Sequence, residues 1–247
     1  MSLDIKRRLG AAALVSIILI VTAPLRAEVN LEWRPASLTA HINDTVEIGL
    51  FAVYTGVGTS SITAMDVLPV WDPNVLQLLG VNNNGPYAWL SSGFPGDSGL
   101  DGLNNTWTDG NAKYTALAQF QAPAQATTQG LKVTTFRFKA LSASPGTTLS
   151  IAASLGLHSR TVVYGNSFPG EEITGTMGSA MISVCGASAT GDMDGSGHVD
   201  GADIDEFVRA VLASSSIASD VCPGDFDGDG MVGVGDVSGM VAALLGP

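Results

Sequence analysis

Two segments of this 247-residue chain share one pattern. Asp192-Met193-Asp194-Gly195-Ser196-Gly197-His198-Val199-Asp200-Gly201-Ala202-Asp203 is answered by Asp225-Phe226-Asp227-Gly228-Asp229-Gly230-Met231-Val232-Gly233-Val234-Gly235-Asp236. The offset is 33 residues (225 − 192), and oxygen-bearing side chains fall at positions 1, 3, 5 and 12 of both. Glycine stands at position 6, where a loop must turn sharply. Calcium is a hard cation that takes six to eight oxygens at roughly 2.3–2.6 Å, and alternate residues of a tight loop can aim side chains inward to supply them. Asp192, Asp194, Ser196 and Asp203 would serve the first loop, with Asp200 at position 9 acting through water. Asp225, Asp227, Asp229 and Asp236 would serve the second, and His198 and Met231 at position 7 would lend backbone carbonyls. Asp/Gly clusters are ordinarily solvated turns. Two of them in one phase predict two calcium ions instead.

Each loop runs into the same helical pattern. Ile204, Phe207, Val208, Val211 and Leu212 follow Asp203, while Val237, Met240, Val241, Leu244 and Leu245 follow Asp236. Both sets fall at i, i+3, i+4, i+7 and i+8, an apolar stripe on one helix face. No clear helix precedes either loop, so the units read as half EF-hands. Each is too small to bury its stripe alone, and the two are expected to pack together.

This duplicated loop and helix resembles a type I dockerin over the last 57 residues or so, a calcium-dependent plug that docks onto cohesin modules. The resemblance implies a small all-α C-terminal domain, 191–247, built from paired half EF-hands. In that family, positions 10 and 11 of each loop, often Ser-Thr, help select the partner. Here they are Gly201-Ala202 and Val234-Gly235, and the first helix carries Glu206 and Arg209 on its outer face. Those six residues are the expected partner-binding set.

The acid is concentrated in this region. From Gly186 onward there are eleven acidic residues against Arg209 alone, within a chain of net charge −12. A balance so negative argues against nucleic-acid binding by charge attraction.

At the other end, Lys6, Arg7 and Arg8 precede an apolar run from Ala11 to Ala23. A basic stretch followed by an apolar run too short to cross a bilayer comfortably is the form of a signal peptide. We place it at 1–27, with cleavage after Ala27 and no transmembrane span afterwards, giving a secreted or cell-surface protein. Export suits the cysteine usage. Cys185 and Cys222 are the two cysteines of the chain and bracket the first loop and its helix. A disulfide between them would contribute roughly 3–4 kcal/mol in the chain-entropy model.

The long middle, 28–184, reads as short strands between polar turns. Val46, Ile48, Leu50, Ala52 and Tyr54 alternate with period two; Val133 and Thr135 do likewise, with Phe136 and Phe138 continuing in the neighbouring register. Leu149–Ile151 and Met181–Val184 add further strand-like pieces. An antiparallel β-sandwich follows, joined by a 185–190 linker to the helical domain. Three segments resemble a cohesin module: His41–Ile48, Val70–Leu78, and Gly130–Ala140 followed by Gly146–Leu149. The resemblance implies a jelly-roll sandwich and a role in cohesin–dockerin-type assembly, in polysaccharide-degrading or cell-surface complexes. The partner would be a cohesin- or dockerin-bearing protein.

The same fold serves carbohydrate-binding modules, so fold alone does not choose. Within the irregular segment 82–111, Trp89 and Trp107 would provide a flat platform for sugar rings, or else close one end of the sandwich by packing inward. An enzyme has little support. His41, His158 and His198 are scattered, and Glu171-Glu172 would act on glycosides only if brought near Asp66 or Asp72. The chain is expected to be non-catalytic.

Overall fold

The computed structural model describes residues 28–96, 101–166, 170–186 and 188–246. The expected signal peptide, 1–27, lies outside the described residues. The rest is a β-sandwich followed by a small helical module.

One sheet has the strand order Thr174–Met177, Val29–Arg34, Thr45–Tyr54, Leu131–Ala140, Leu76–Asn82. The other runs Ser37–His41, Ser179–Cys185, Ser144–Ala152, Ala64–Val70, Tyr114–Leu117, Ser91–Gly93, with Val162–Tyr164 also paired to Ala64–Val70. In the Thr45–Tyr54 strand Val46, Ile48, Leu50 and Ala52 are buried, as their period-two spacing requires. Phe136 and Tyr114 join the two sheets, their rings 5.6 Å apart.

The change of phase after Val133 is a β-bulge. Lys132 faces Phe51 but Thr134 faces Leu50, so one residue of the Leu131–Ala140 strand goes unopposed. That extra residue lets Val133 on one side of the bulge, and Phe136 and Phe138 on the other, all enter the core.

The sandwich is not wholly antiparallel, as the alternation alone suggested. Its first and last strand segments each change sheets. Pro35, which has no amide to give a ladder, separates Val29–Arg34 from Ser37–His41. Gly178 similarly separates Thr174–Met177 from Ser179–Cys185. The segments pair in parallel, Val29–Arg34 with Thr174–Met177 and Ser37–His41 with Ser179–Cys185. Ser37–His41 is left as an edge strand, and the helical module sits against it.

That module contains α1 (Asp203–Ala213), α2 (Ala218–Gly224) and α3 (Val237–Leu245). α2 directly precedes the second loop, where the sequence suggested no helix. It packs on the Ser37–His41 and Ser179–Cys185 strands. Cys222 of α2 is bonded to Cys185, with an S–S distance of 2.04 Å. Phe207, Ala210, Val221, Val232 and Met240 form the module's small core. The apolar stripes of α1 and α3 are only partly covered: Ile204, Val208, Val237 and Val241 stay exposed and line a wholly apolar groove between the two helices. Among the described residues, no helix is long and apolar enough to cross a membrane.

Candidate calcium loops

The two loops fold by the same hydrogen bonds, 33 residues apart. Asp203 Oδ1 accepts from the amides of Met193 (2.7 Å) and Asp194 (3.1 Å), and Oδ2 from Asp200 (2.8 Å). Asp236 Oδ1 accepts from Phe226 (2.7 Å) and Asp227 (3.0 Å), and Oδ2 from Gly233 (2.7 Å). Position 12 therefore latches the loop closed through the amides of positions 2, 3 and 9. At position 1, Asp192 accepts from Ser196 and Gly197, and Asp225 from Gly228, Asp229 and Gly230.

Such tight wrapping needs left-handed backbone at two places in each loop. Gly197 and Gly230 at position 6 have φ of 87° and 88°. Gly195 and Gly228 at position 4 have φ of 72° and 77°. The second pair escaped the sequence reading, although its 33-residue recurrence was a signal for it.

Oxygens of Asp192, Asp194 and Asp203 lie within 4.8 Å of one another, as do those of Asp225, Asp227 and Asp229. An all-carboxylate set at that spacing fits a hard cation with metal–oxygen distances of roughly 2.3–2.6 Å. Three of the expected ligands also serve hydrogen bonds of the loops themselves. Asp200 accepts from the Ala202 amide at 2.8 Å, so it braces the entry to α1. Ser196 Oγ accepts from the His198 amide and donates to the His198 carbonyl, each at 3.4 Å. Asp236 stands outside the second carboxylate triplet, held instead by its three amides.

Buried carboxylates are the distinctive feature. Asp203, Asp225 and Asp236 are each at most 3% exposed. The backbone amides, that of Asp200 foremost, hold the Asp203 carboxyl below the usual carboxylate range. Burial pushes the Asp225 carboxyl up, against the opposing pull of the Gly230 and Gly228 amides.

The expected partner-binding residues divide. Gly201, Ala202 and Val234 are exposed. Gly235 is fixed by the loop itself, because a Cβ there would collide with the Asp227 carboxylate. Arg209 is committed inside the module: it meets Glu206 at 2.7 Å and the buried Asp220 at 3.1 Å. The outer-face charge expected there is thus largely spent on bracing α1 to α2.

In the sandwich, Trp89 and Trp107 are half-buried against the core. Trp89 donates its indole N–H to Val133 O at 3.1 Å, satisfying a carbonyl at the bulge. Trp107 packs on Phe94, centroids 5.0 Å apart, with its indole nitrogen buried. Both indoles pack toward the core at this end of the sandwich while keeping part of their surface exposed. Asn83 and Asn84 accept from the buried hydroxyls of Thr134 and Thr135. Of the carboxylates weighed for catalysis, Asp66 is paired with Lys113 at 2.8 Å and Glu172 with Arg160 at 2.9 Å.

No protein-family model and no curated protein matches the chain. Among solved structures, it is similar to a cohesin module from a Clostridium perfringens family 33 glycoside hydrolase. That match has 8% identity and a TM-score of 0.46, covering 65% of this chain and 98% of the other. A second is the third cohesin of ScaC from Acetivibrio cellulolyticus, solved with the ScaB dockerin: 15% identity, TM-score 0.44, 64% and 98% covered. A third is the seventh ScaB type I cohesin of Pseudobacteroides cellulosolvens, at 15% identity and TM-score 0.44, with 64% and 93% covered. With TM-scores below 0.5, this likeness adds nothing to what the strand topology already says.

Proposed function

We propose that the chain is an exported, non-catalytic adaptor whose C-terminal module loads two calcium ions and then docks onto a cohesin-type partner. The observation that carries the reading is the repeated loop. Two sets of three mutually close carboxylates, at positions 1, 3 and 12 of one loop and 1, 3 and 5 of the other, each lead into a helix, and the exposed apolar sides of those helices share one groove. Asp192, Asp194 and Asp203 would hold one ion; Asp225, Asp227 and Asp229 would hold the other, with Asp236 closing its loop. The ions supply positive charge that offsets the crowded carboxylates. The chain's own contribution is to hold the oxygens in place and to align α1 with α3. The Cys185–Cys222 bond suits an oxidising, extracellular setting.

The test is binding of the full-length oxidised chain to a panel of purified cohesin modules, in calcium and in chelator. Calcium-dependent binding that Val208→Asp together with Val241→Asp abolishes is the expected result. Equal binding in chelator, or binding untouched by both substitutions, would remove the docking role.

A further inference from the structure

We infer that the outer face of the Thr45–Tyr54 and Leu131–Ala140 strands binds a linear polysaccharide carrying carboxylates. The inference stands apart from the docking role of the calcium module. Residues 28–185 hold eleven acidic side chains against six basic ones, a balance of −5 (6 − 11). Four of those six, Arg34, Lys132, Arg137 and Lys139, nevertheless share one sheet face. The pairing register sets them in order. Phe51 lies between Glu32 and Lys132, Gly49 between Arg34 and Thr135, Glu47 beside Arg137, and Thr45 beside Lys139. Every second residue of a strand faces the same side, so from Phe51 to Thr45 each outward row carries one cation. The rows are roughly 7 Å apart, and the ladder spans roughly 20 Å.

The four cations are held differently. Arg34 meets Glu32 at 3.0 Å, and its guanidinium lies 4.7 Å over the centre of the Phe51 ring. Arg137 meets Glu47 at 3.2 Å. Lys132 and Lys139, at the two ends of the ladder, are partly exposed, and their side chains have no partner among the described residues. They supply the uncompensated charge, +2 over these rows (4 − 2). Two other occupants fit less well. A protein interface wants an aromatic or apolar anchor near its centre, and the centre here is Gly49 and Phe51. A Cβ at Gly49 would strike the Phe51 ring, which therefore lies along the sheet under Arg34 instead of standing out from it. Nucleic acid is opposed by the net charge of −12. An extended polymer with acid groups at intervals matches a straight row of cations on a flat face and needs no anchor. At one end, Thr45 and Glu47 share a cleft of about 200 Å³ with Asp225 and Asp229 of the second loop. Acid there repels the polymer, which should continue past Lys132 and not past Lys139.

Affinity electrophoresis of the full-length oxidised chain, at low ionic strength and in calcium, tests this with three polymers of one backbone. Carboxymethylcellulose should retard the chain, and hydroxyethylcellulose, which is neutral, should not. Added salt should weaken the retardation. Lys132→Gln with Lys139→Gln should reduce the affinity about tenfold, whereas Lys132→Arg with Lys139→Arg should keep it. Lys113→Gln with Arg160→Gln makes the same change of net charge at cations paired elsewhere, with Asp66 and Glu172, and should leave the affinity unchanged. No retardation by carboxymethylcellulose, retardation by cellulose sulfate alone, or an equal loss in the two glutamine pairs would each overturn the inference. Sedimentation velocity of the chain without polymer covers the remaining occupant. Self-association that Lys132→Gln with Lys139→Gln abolishes would assign this face to the acidic module of a second copy and overturn the polysaccharide.

Discussion

The sandwich and the C-terminal module bury different things. Between the sheets the interior is apolar, and its buried polar residues are uncharged side chains such as Thr134, Thr135, Thr161 and Ser183, with His41 at the rim. In the module the apolar core is Phe207, Ala210, Val221, Val232 and Met240, and beside it are four buried carboxylates, Asp203, Asp220, Asp225 and Asp236. Apolar burial stabilises by roughly 25 cal/mol per Å², whereas a buried carboxylate costs free energy unless donors or a cation compensate it. Asp220 has Arg209. The other three have backbone amides, and on our reading Asp203 and Asp225 also have calcium. On that reading the two regions of one chain depend on different conditions: the sandwich on water being excluded, the module on an ion being present.

The largest test of that contrast is chelation. Each ion at a thousandfold excess over its Kd contributes about 4 kcal/mol to the state that binds it. The module's core is too small to replace such a sum. Full-length chain in chelator should lose most of its helical signal while the sandwich keeps its cooperative unfolding transition. Helicity unchanged between chelator and saturating calcium would mean that the loops are self-sufficient turns, and the contrast would fall.

A core truncation should act the other way round. Phe138 is fully buried, and its ring lies 5.4 Å from that of Trp71. Phe138→Ala should destabilise the sandwich by about 3–5 kcal/mol and leave calcium affinity unchanged. A change at both loops would show that the two regions fold as one.

The disulfide tells which region leans on the other. Its cysteines are 37 residues apart and tie the Ser179–Cys185 strand to α2. Replacing both by serine should cost about 3–4 kcal/mol, and the loss should appear in the module in chelator, where the bond supplements the packing of α2 on the sandwich. If the sandwich transition moves instead, the bond serves the Ser179–Cys185 strand.

The same contrast governs what the sequence disclosed. Side-chain periodicity made the Thr45–Tyr54 strand legible, and even the bulge at Val133 left its mark as a shift of phase. The switching of strands between sheets at Pro35 and Gly178 was not legible, because it is a matter of which neighbour each segment meets. In the loops, ligand spacing could be read directly, since position 1 to position 12 is local. α2 was hidden: Ala218–Gly224 has no apolar stripe and contains Pro223, and it is held by the sandwich and Cys185 instead of by its own pattern. Arg209 likewise looked free because its partner Asp220 lies on another helix. Gly235 and Gly239 are required by contacts that spacing does not show: a Cβ at the first would strike Asp227 and at the second would strike Phe226.

The smallest expected effect separates the two loops by pH. In the calcium-free chain, the amides of Asp200, Asp194 and Met193 depress the Asp203 carboxyl. A depressed folded-state value adds stability above the unfolded value, near 3.9 for Asp, and that stability is lost as pH falls through the folded value. Asp225 has the opposite sign, because burial raises its carboxyl. Its contribution is complete below the unfolded value and is lost as pH rises through the folded one. Mild acid should therefore favour the second loop before stronger acid undoes the first. Calcium should flatten both slopes, since it holds every ligand ionised. Amide exchange in chelator, with enough stabilising osmolyte to keep the module folded and corrected for the intrinsic pH dependence of exchange, reads this residue by residue. The Gly228 and Gly230 amides, which Asp225 accepts, should gain protection from neutral pH down towards the carboxylate range, while those of Met193 and Asp194 should lose it only below that range. Parallel behaviour in the two loops would mean that burial against the sandwich does not distinguish Asp225.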